Sequence, residues 1–417
     1  MVSCYGNIQL LKDRGLSMTT YNFDKITNRK GTNCLKYDFA VERGKPADVL
    51  PLWVADMDFP VSEEITKSLH AAVEHGIYGY TQPKDAYYNA VMNWMERNHN
   101  WKTEREWIVK TPGVVFALGA AVKAFTDPGD AILIQNPVYY PFTNIIRDND
   151  RRVVDNTLIY EKTAGQSGDN GYRIDFEDFE RKLEQEHIKL FILCNPHNPV
   201  GRVWTVEELQ QLGEICLRHH VIVVSDEIHN DFVYPGYEHT VFATVDPRFA
   251  EFTVTCTAPS KTFNLAGLQI SNIFIPNEKL RKAFQTEIDK TGYDEPNALG
   301  IVACEAAYRA GEDWLDQLRA YLLKNLNFLR NFLQEKIPQI HLVEPEGTYL
   351  VWLDCSELGI TGKELDQFIV DKAGLWLDGG SMFGPSGAAF QRVNIACPQA
   401  TLELALNKLK AAVDNLE

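Results

Sequence analysis

Residues 189–226 read KLFILCNPHNPVGRVWTVEELQQLGEICLRHHVIVVSD. The apolar runs at 189–194 and 221–225 are short and partly β-branched, as buried strands are. Between them, Thr205 followed by Glu208 forms a capping box, and Leu209, Leu212 and Cys216 recur on one helical face. Strand, capped helix and strand in about forty residues predict a βαβ unit, hence a largely parallel sheet covered by helices.

Outward from this unit the same pattern continues. AILI (131–134), FTVTC (252–256) and ISNIFI (270–275) read as further buried strands. SEEITKSLHAAVEHG reads as a helix with Ser62 as N-cap and Gly76 as its stop. A long helical pattern runs from about Leu299 to Glu335, after which HLVEPEGTYLVWLD and FQRVNIACP supply strands of a C-terminal α+β region. The organisation expected is a polar extension over 1–17, a large α/β domain over 65–304, and a small α+β domain built from 18–64 and 305–417.

Bulk properties narrow the function. A chain of 417 residues with 45% hydrophobic and 24% charged residues is long enough to bury its core without staples. Its 41 basic and 57 acidic residues leave a net charge of -16, which argues against sequence-independent binding to nucleic acid. The eight cysteines are scattered without a C-x-x-C pair, the usage of a reducing compartment. No apolar run is long enough to cross a bilayer and no signal-peptide core opens the chain, so a cytoplasmic location is expected.

In an open α/β sheet, ligands bind beyond the carboxyl ends of the strands. One such end runs into NPHNPVGR with Asn198, the next closes in Asp226, and the third leads through APSKTFN to Lys261. Each residue type answers a need of pyridoxal phosphate. Lys261 would hold the cofactor as a Schiff base and, with its pKa lowered by burial, act as base on the Cα of an amino acid. Asp226 would keep the pyridine nitrogen protonated, and Asn198 would donate to the phenolate oxygen. Singly, such a lysine reads as a surface residue and such an aspartate as a helix cap; the ordered triple carries the reading.

Other residues extend the constellation. Gly113 turns into an apolar helix whose N-terminus suits a phosphate. Tyr139 could stack on a flat heterocycle, although either Tyr139 or Tyr140 reads equally as packed core. Arg392 lies in an apolar strand and needs a partner, either a substrate α-carboxylate or a structural acid.

The order Asn-Pro-x-Asn-Pro-x-Gly, Ser-Asp-Glu, Ser-Lys and Arg-x-Asn-x-Ala resembles the fold type I, class I/II aminotransferase family over residues 35–417. Within it WVADMDFP (53–60), YGYT (78–81), NPVYYPF (136–142), SDEIHNDF (225–232) and SKTFNLAGLQ (260–269) resemble the MalY/PatB-type cystathionine β-lyases. The resemblance implies a mostly parallel seven-stranded sheet and a homodimer with shared sites, Tyr80 reaching the neighbour's cofactor phosphate. It also implies Ser260 and the amides after Gly113, those of Val114 and Val115, as phosphate ligands. Tyr139 would stack on the ring, Arg392 would bind the carboxylate, and Ala55 would line the substrate side. A departing thiolate needs one proton, which Tyr139 or Lys261 could supply. Two positions depart from the wider family. His229 stands where many relatives have a tyrosine on the phenolate oxygen. Gln269 stands where many have a phosphate-binding arginine, a contact worth about 1.5–3 kcal/mol. The motifs favour cleavage of a cysteine thioether to thiol, pyruvate and ammonia. Transamination of an amino acid is the alternative, and a regulatory binding protein, disfavoured by the intact lysine, aspartate and arginine, is a third.

Overall fold

Parallel strands need crossover helices, and the unit read at 189–226 forms as expected in a computed structural model that describes residues 19–162 and 170–416. The expected extension over 1–17 lies outside the described residues. The main sheet has seven strands: β1 (Ile108–Thr111), β2 (Ala131–Ile134), β3 (Arg152–Asp155), β4 (Leu190–Cys194), β5 (Ile222–Asp226), β6 (Thr253–Thr257) and β7 (Ser271–Phe274). Their order is β1-β7-β6-β5-β4-β2-β3. From β3 to β6 every pairing is parallel, and β7 runs antiparallel to both of its neighbours. The sequence reading has no strand at β1 or β3. Both are sheet edges, and β3 buries only Val154 of its four residues, so no continuous apolar run marks it.

Helix ends follow their side chains. In α1 (Glu63–His75) the Ser62 hydroxyl accepts from the Ile65 amide at 3.4 Å, and Gly76 closes the helix in the left-handed region at φ 72°. Next come α2 (Asp85–His99), α3 (Val114–Phe125) and α4 (Val206–Arg218). The capping box of α4 is reciprocal. The Glu208 amide donates to the Thr205 hydroxyl at 3.2 Å, and the Thr205 amide donates to the Glu208 carboxylate at 2.9 Å.

The long helix expected from Leu299 to Glu335 is instead two, α5 (Ala298–Ala310) and α6 (Glu312–Lys336), which meet at Gly311. The junction is tightly packed. A Cβ on residue 311 would lie 2.4 Å from the Phe263 ring and 2.6 Å from the Ala307 carbonyl oxygen, so only glycine lets the chain pass. A second, antiparallel sheet comes next, of strands β8 (His341–Val343), β9 (Leu350–Asp354), β10 (Asp378–Gly379) and β11 (Phe390–Asn394) in the order β8-β9-β11-β10.

The early chain is stitched to this late region. Leu50–Pro51 pairs in parallel with Leu375–Trp376, and the Asn394 amide donates to the Leu52 carbonyl at 2.9 Å. One apolar cluster correspondingly joins Phe23, Leu52 and Phe59 to Leu326, Tyr349 and Leu402. The seven described cysteines are unpaired, six of them buried. Among the described residues no helix is long and apolar enough to cross a membrane.

Replacing Gly311→Ala should force Phe263 to shift and cost about 1–3 kcal/mol. Urea unfolding would show it as a lower midpoint with an unchanged slope.

Candidate active site

In the sheet register Cys194 lies beside Asp226, and Asp226 beside Cys256, so β4, β5 and β6 end level with one another. The segments leaving these three strands therefore collect at one edge. A cavity of about 190 Å³ opens there. Gly113, Val114 and Val115 at the start of α3 form one wall, and Tyr139 another. Asn198, Asp226, His229, Ser260 and Lys261 close it from the strand ends, and Ala55 from the early chain. All of these are sequence-derived candidates, and the fold brings them together.

The electrostatics follow from burial. The crevice raises the Asp226 carboxyl to about 7, opposed by the Ile228 amide, which donates to it at 3.2 Å, and by the Lys261 charge. Lys261 is drawn down to about 8 by burial and then by Arg392, against the pull of Asp56 and Asp226. Its ammonium donates to the Ala55 carbonyl at 3.4 Å, an oxygen that also accepts from the Tyr349 hydroxyl at 2.8 Å. Burial, with Lys261 and Arg392 nearby, holds the His229 imidazole well below its usual range, and its buried Nδ1 has no partner among the described residues. The Tyr139 phenol is pushed up, chiefly by burial, and stays protonated.

These groups fit pyridoxal phosphate. Lys261 offers an amine of lowered basicity to an aldehyde, and Asp226 offers a carboxylate to a ring nitrogen. The orphaned Nδ1 of His229 is a buried polar atom on the cavity wall that a bound polar ring could satisfy. Gly113 caps α3 without a side-chain bond to its first amides, and a Cβ there would meet nothing within 4 Å. That is open room for an anion at a helix N-terminus.

Three sequence candidates sit elsewhere. Arg392 stands behind the wall, its Nη1 donating to Asn198 Oδ1 at 2.9 Å and its Nη2 to the Trp53 carbonyl at 3.1 Å. It is ion-paired to buried Asp378, so the structural partner allowed for in the sequence is present. The bond to Arg392 orients the Asn198 amide. Tyr80 is 96% exposed and does not reach this chain's cavity. Gln269 is exposed, in the left-handed region at φ 50°, and does not line the cavity. Sequence reading missed Asp378 and Tyr349. An acid in the run LWLDGG was the one available signal for Asp378.

The chain matches the model of the family "Aminotransferase class I and II" over residues 47–409. It is 46% identical to cystathionine β-lyase PatB of Bacillus subtilis over 392 residues, 94% of this chain and 100% of that protein. The crystal structure of cystalysin from Treponema denticola, which contains pyridoxal 5'-phosphate, superposes with a TM-score of 0.91 at 37% identity, covering 96% of this chain and 100% of that one. The pyridoxal-phosphate-bound C–S lyase of Staphylococcus hominis gives 0.88 at 35%, covering 95% and 98%.

Asp226 carries a pH prediction for the cofactor-free protein. Its carboxyl sits at about 7 in the fold against an ordinary 3.8, so the folded state binds the proton more tightly. Stability is therefore lost as pH rises between those values, and the full cost is felt above them. Asp226→Asn should gain on the wild type by about 1–3 kcal/mol between pH 5 and pH 8. Urea titrations at the two pH values measure the difference.

Proposed function

The chain belongs to the class I and II aminotransferase family, and from that premise we propose that it is a pyridoxal-phosphate-dependent C–S β-lyase. The reaction takes a cysteine thioether and water to a thiol, pyruvate and ammonia. The level termination of β4, β5 and β6, which gathers Asn198, Asp226 and Lys261 around one cavity, supports the cofactor chemistry, and the 46% identity to cystathionine β-lyase PatB supports the lyase.

Pyridoxal phosphate, when bound, supplies the electron sink that makes the substrate's Cα proton acidic. Lys261 would anchor it and Asp226 would keep its ring nitrogen protonated. The amides of Val114 and Val115 with Ser260 would hold the phosphate, Asn198 and His229 the ring oxygen, and Tyr139 the ring face. The Lys261 amine, neutral in an appreciable fraction near pH 8, takes the Cα proton at Nζ. The Cβ–S bond then breaks with its electron pair on sulfur. Tyr139, protonated and on the cavity wall, is placed to return a proton to that sulfur. Arg392, from behind the cavity wall, orients Asn198, whose amide holds the α-carboxylate so that the Cα–H faces Lys261.

The protein works as a homodimer in the cytoplasm, with Tyr80 entering the neighbour's site. The nearly complete exposure of Tyr80, flanked by exposed Ile77 and Tyr78, supports this placement. The substrate is a small amino acid; nucleic acid and membrane play no part.

Product analysis tests the reaction. L-cystathionine or another cysteine thioether should give pyruvate, ammonia and thiol with no keto acid added. Turnover that requires 2-oxoglutarate and releases no thiol across a broad panel would make the protein a transaminase instead. Shared sites have their own test. Tyr80→Ala and Lys261→Ala, each nearly inactive alone, should regain up to about a quarter of wild-type activity when unfolded and refolded together, since a hybrid dimer carries one intact site. No recovery in a mixture shown to contain hybrids would place Tyr80 in its own subunit's site or in none.

A further inference from the structure

A cysteine thioether has two ends. The amino-acid end is accounted for by Lys261, Arg392 and Asn198. The leaving end must point away from Lys261, and its environment sets which thioether is preferred.

Trp53 connects the inner cation to the outside. Its carbonyl accepts from Arg392 Nη2 at 3.1 Å, while its indole stacks on Trp376 with ring centroids 4.4 Å apart and planes within 11°. Over the Trp53 ring, at 5.3 Å, stands the guanidinium of Arg43, an exposed residue on the early chain. It forms no ion pair with any described residue. The Trp53 indole Nε1, buried, has no hydrogen-bond partner among the described residues. Tyr140 ties this corner to the cavity. Its ring lies 5.5 Å from that of the wall residue Tyr139, and its hydroxyl is in electrostatic reach of Arg392, Asp378 and Arg43 together.

We propose that Arg43, held over the Trp53–Trp376 stack, is the recognition site for a carboxylate at the distal end of the thioether substrate. The stacked indoles, both buried, fix the position of the guanidinium above them. The guanidinium, parked on an aromatic face, loses less freedom on forming a charge-assisted bond than a free surface arginine would. Substrates whose leaving half is itself an amino acid are thereby preferred over simple alkyl thioethers. Arg43 touches no reacting atom; it selects.

This inference rests on the C–S lyase reading, and the test separates the two. The holoenzyme and its Arg43→Gln and Arg43→Lys variants are assayed for pyruvate release from L-cystathionine, which has a distal carboxylate, and from S-methyl-L-cysteine, which has none. Binding of each is also titrated through the change in cofactor absorbance. Arg43→Gln should lower kcat/KM for L-cystathionine about tenfold, through KM, with a loss below about twofold on S-methyl-L-cysteine. Arg43→Lys, keeping the charge, should recover part of the difference. Equal losses on both compounds, or none, would overturn the proposal. If the wild type releases no pyruvate from either, the lyase reading fails, and the titrations still decide whether Arg43 discriminates a distal carboxylate.

Discussion

The Asp226 carboxylate, sunk at the end of a parallel strand, is the constraint around which the site is arranged. Taken out of water with one backbone amide as donor, it is costly to ionise, and burial drives it toward its protonated form. A cation set against it reverses that balance, and the protonated ring nitrogen of pyridoxal phosphate is one. The same burial acts with opposite sign on Lys261, making its amine less basic. One dry crevice thus prepares both partners of the chemistry, and each is fixed because β5 and β6 end in register.

A second buried pair sits just behind. Arg392 and Asp378 lie opposite each other on β11 and β10, and neither is on the cavity wall. With its charge compensated from behind, Arg392 holds the Asn198 amide in one orientation without being stranded in the interior.

Much of this was legible in the sequence because it is local. The capping box at Thr205, the cap and stop at Ser62 and Gly76, and the strands leading to Asn198, Asp226 and Lys261 are each written in a few adjacent residues. What escaped depends on distant ones. The helix pattern runs unbroken through Gly311, where the close approach of Phe263, distant in sequence, leaves room for no side chain. Asp378 becomes meaningful only when strand register sets it beside Arg392. The edge strands β1 and β3 lack the apolar run that betrays a central strand. Tyr80 was read from resemblance alone, since nothing in its local pattern says that it matters.

The stitching of early to late chain bears on how the enzyme is made. Ala55 reaches the cavity on a segment whose residues 50–52 pair with 375–376 and with Asn394. During synthesis, Lys261 and Asp226 leave the ribosome well before those partners exist. At roughly 5–20 residues per second the crevice then waits on the order of ten seconds without its roof. Cofactor capture is accordingly a late event in biogenesis, and a chain cut short before β11 has its reactive lysine but no closed pocket to guard it.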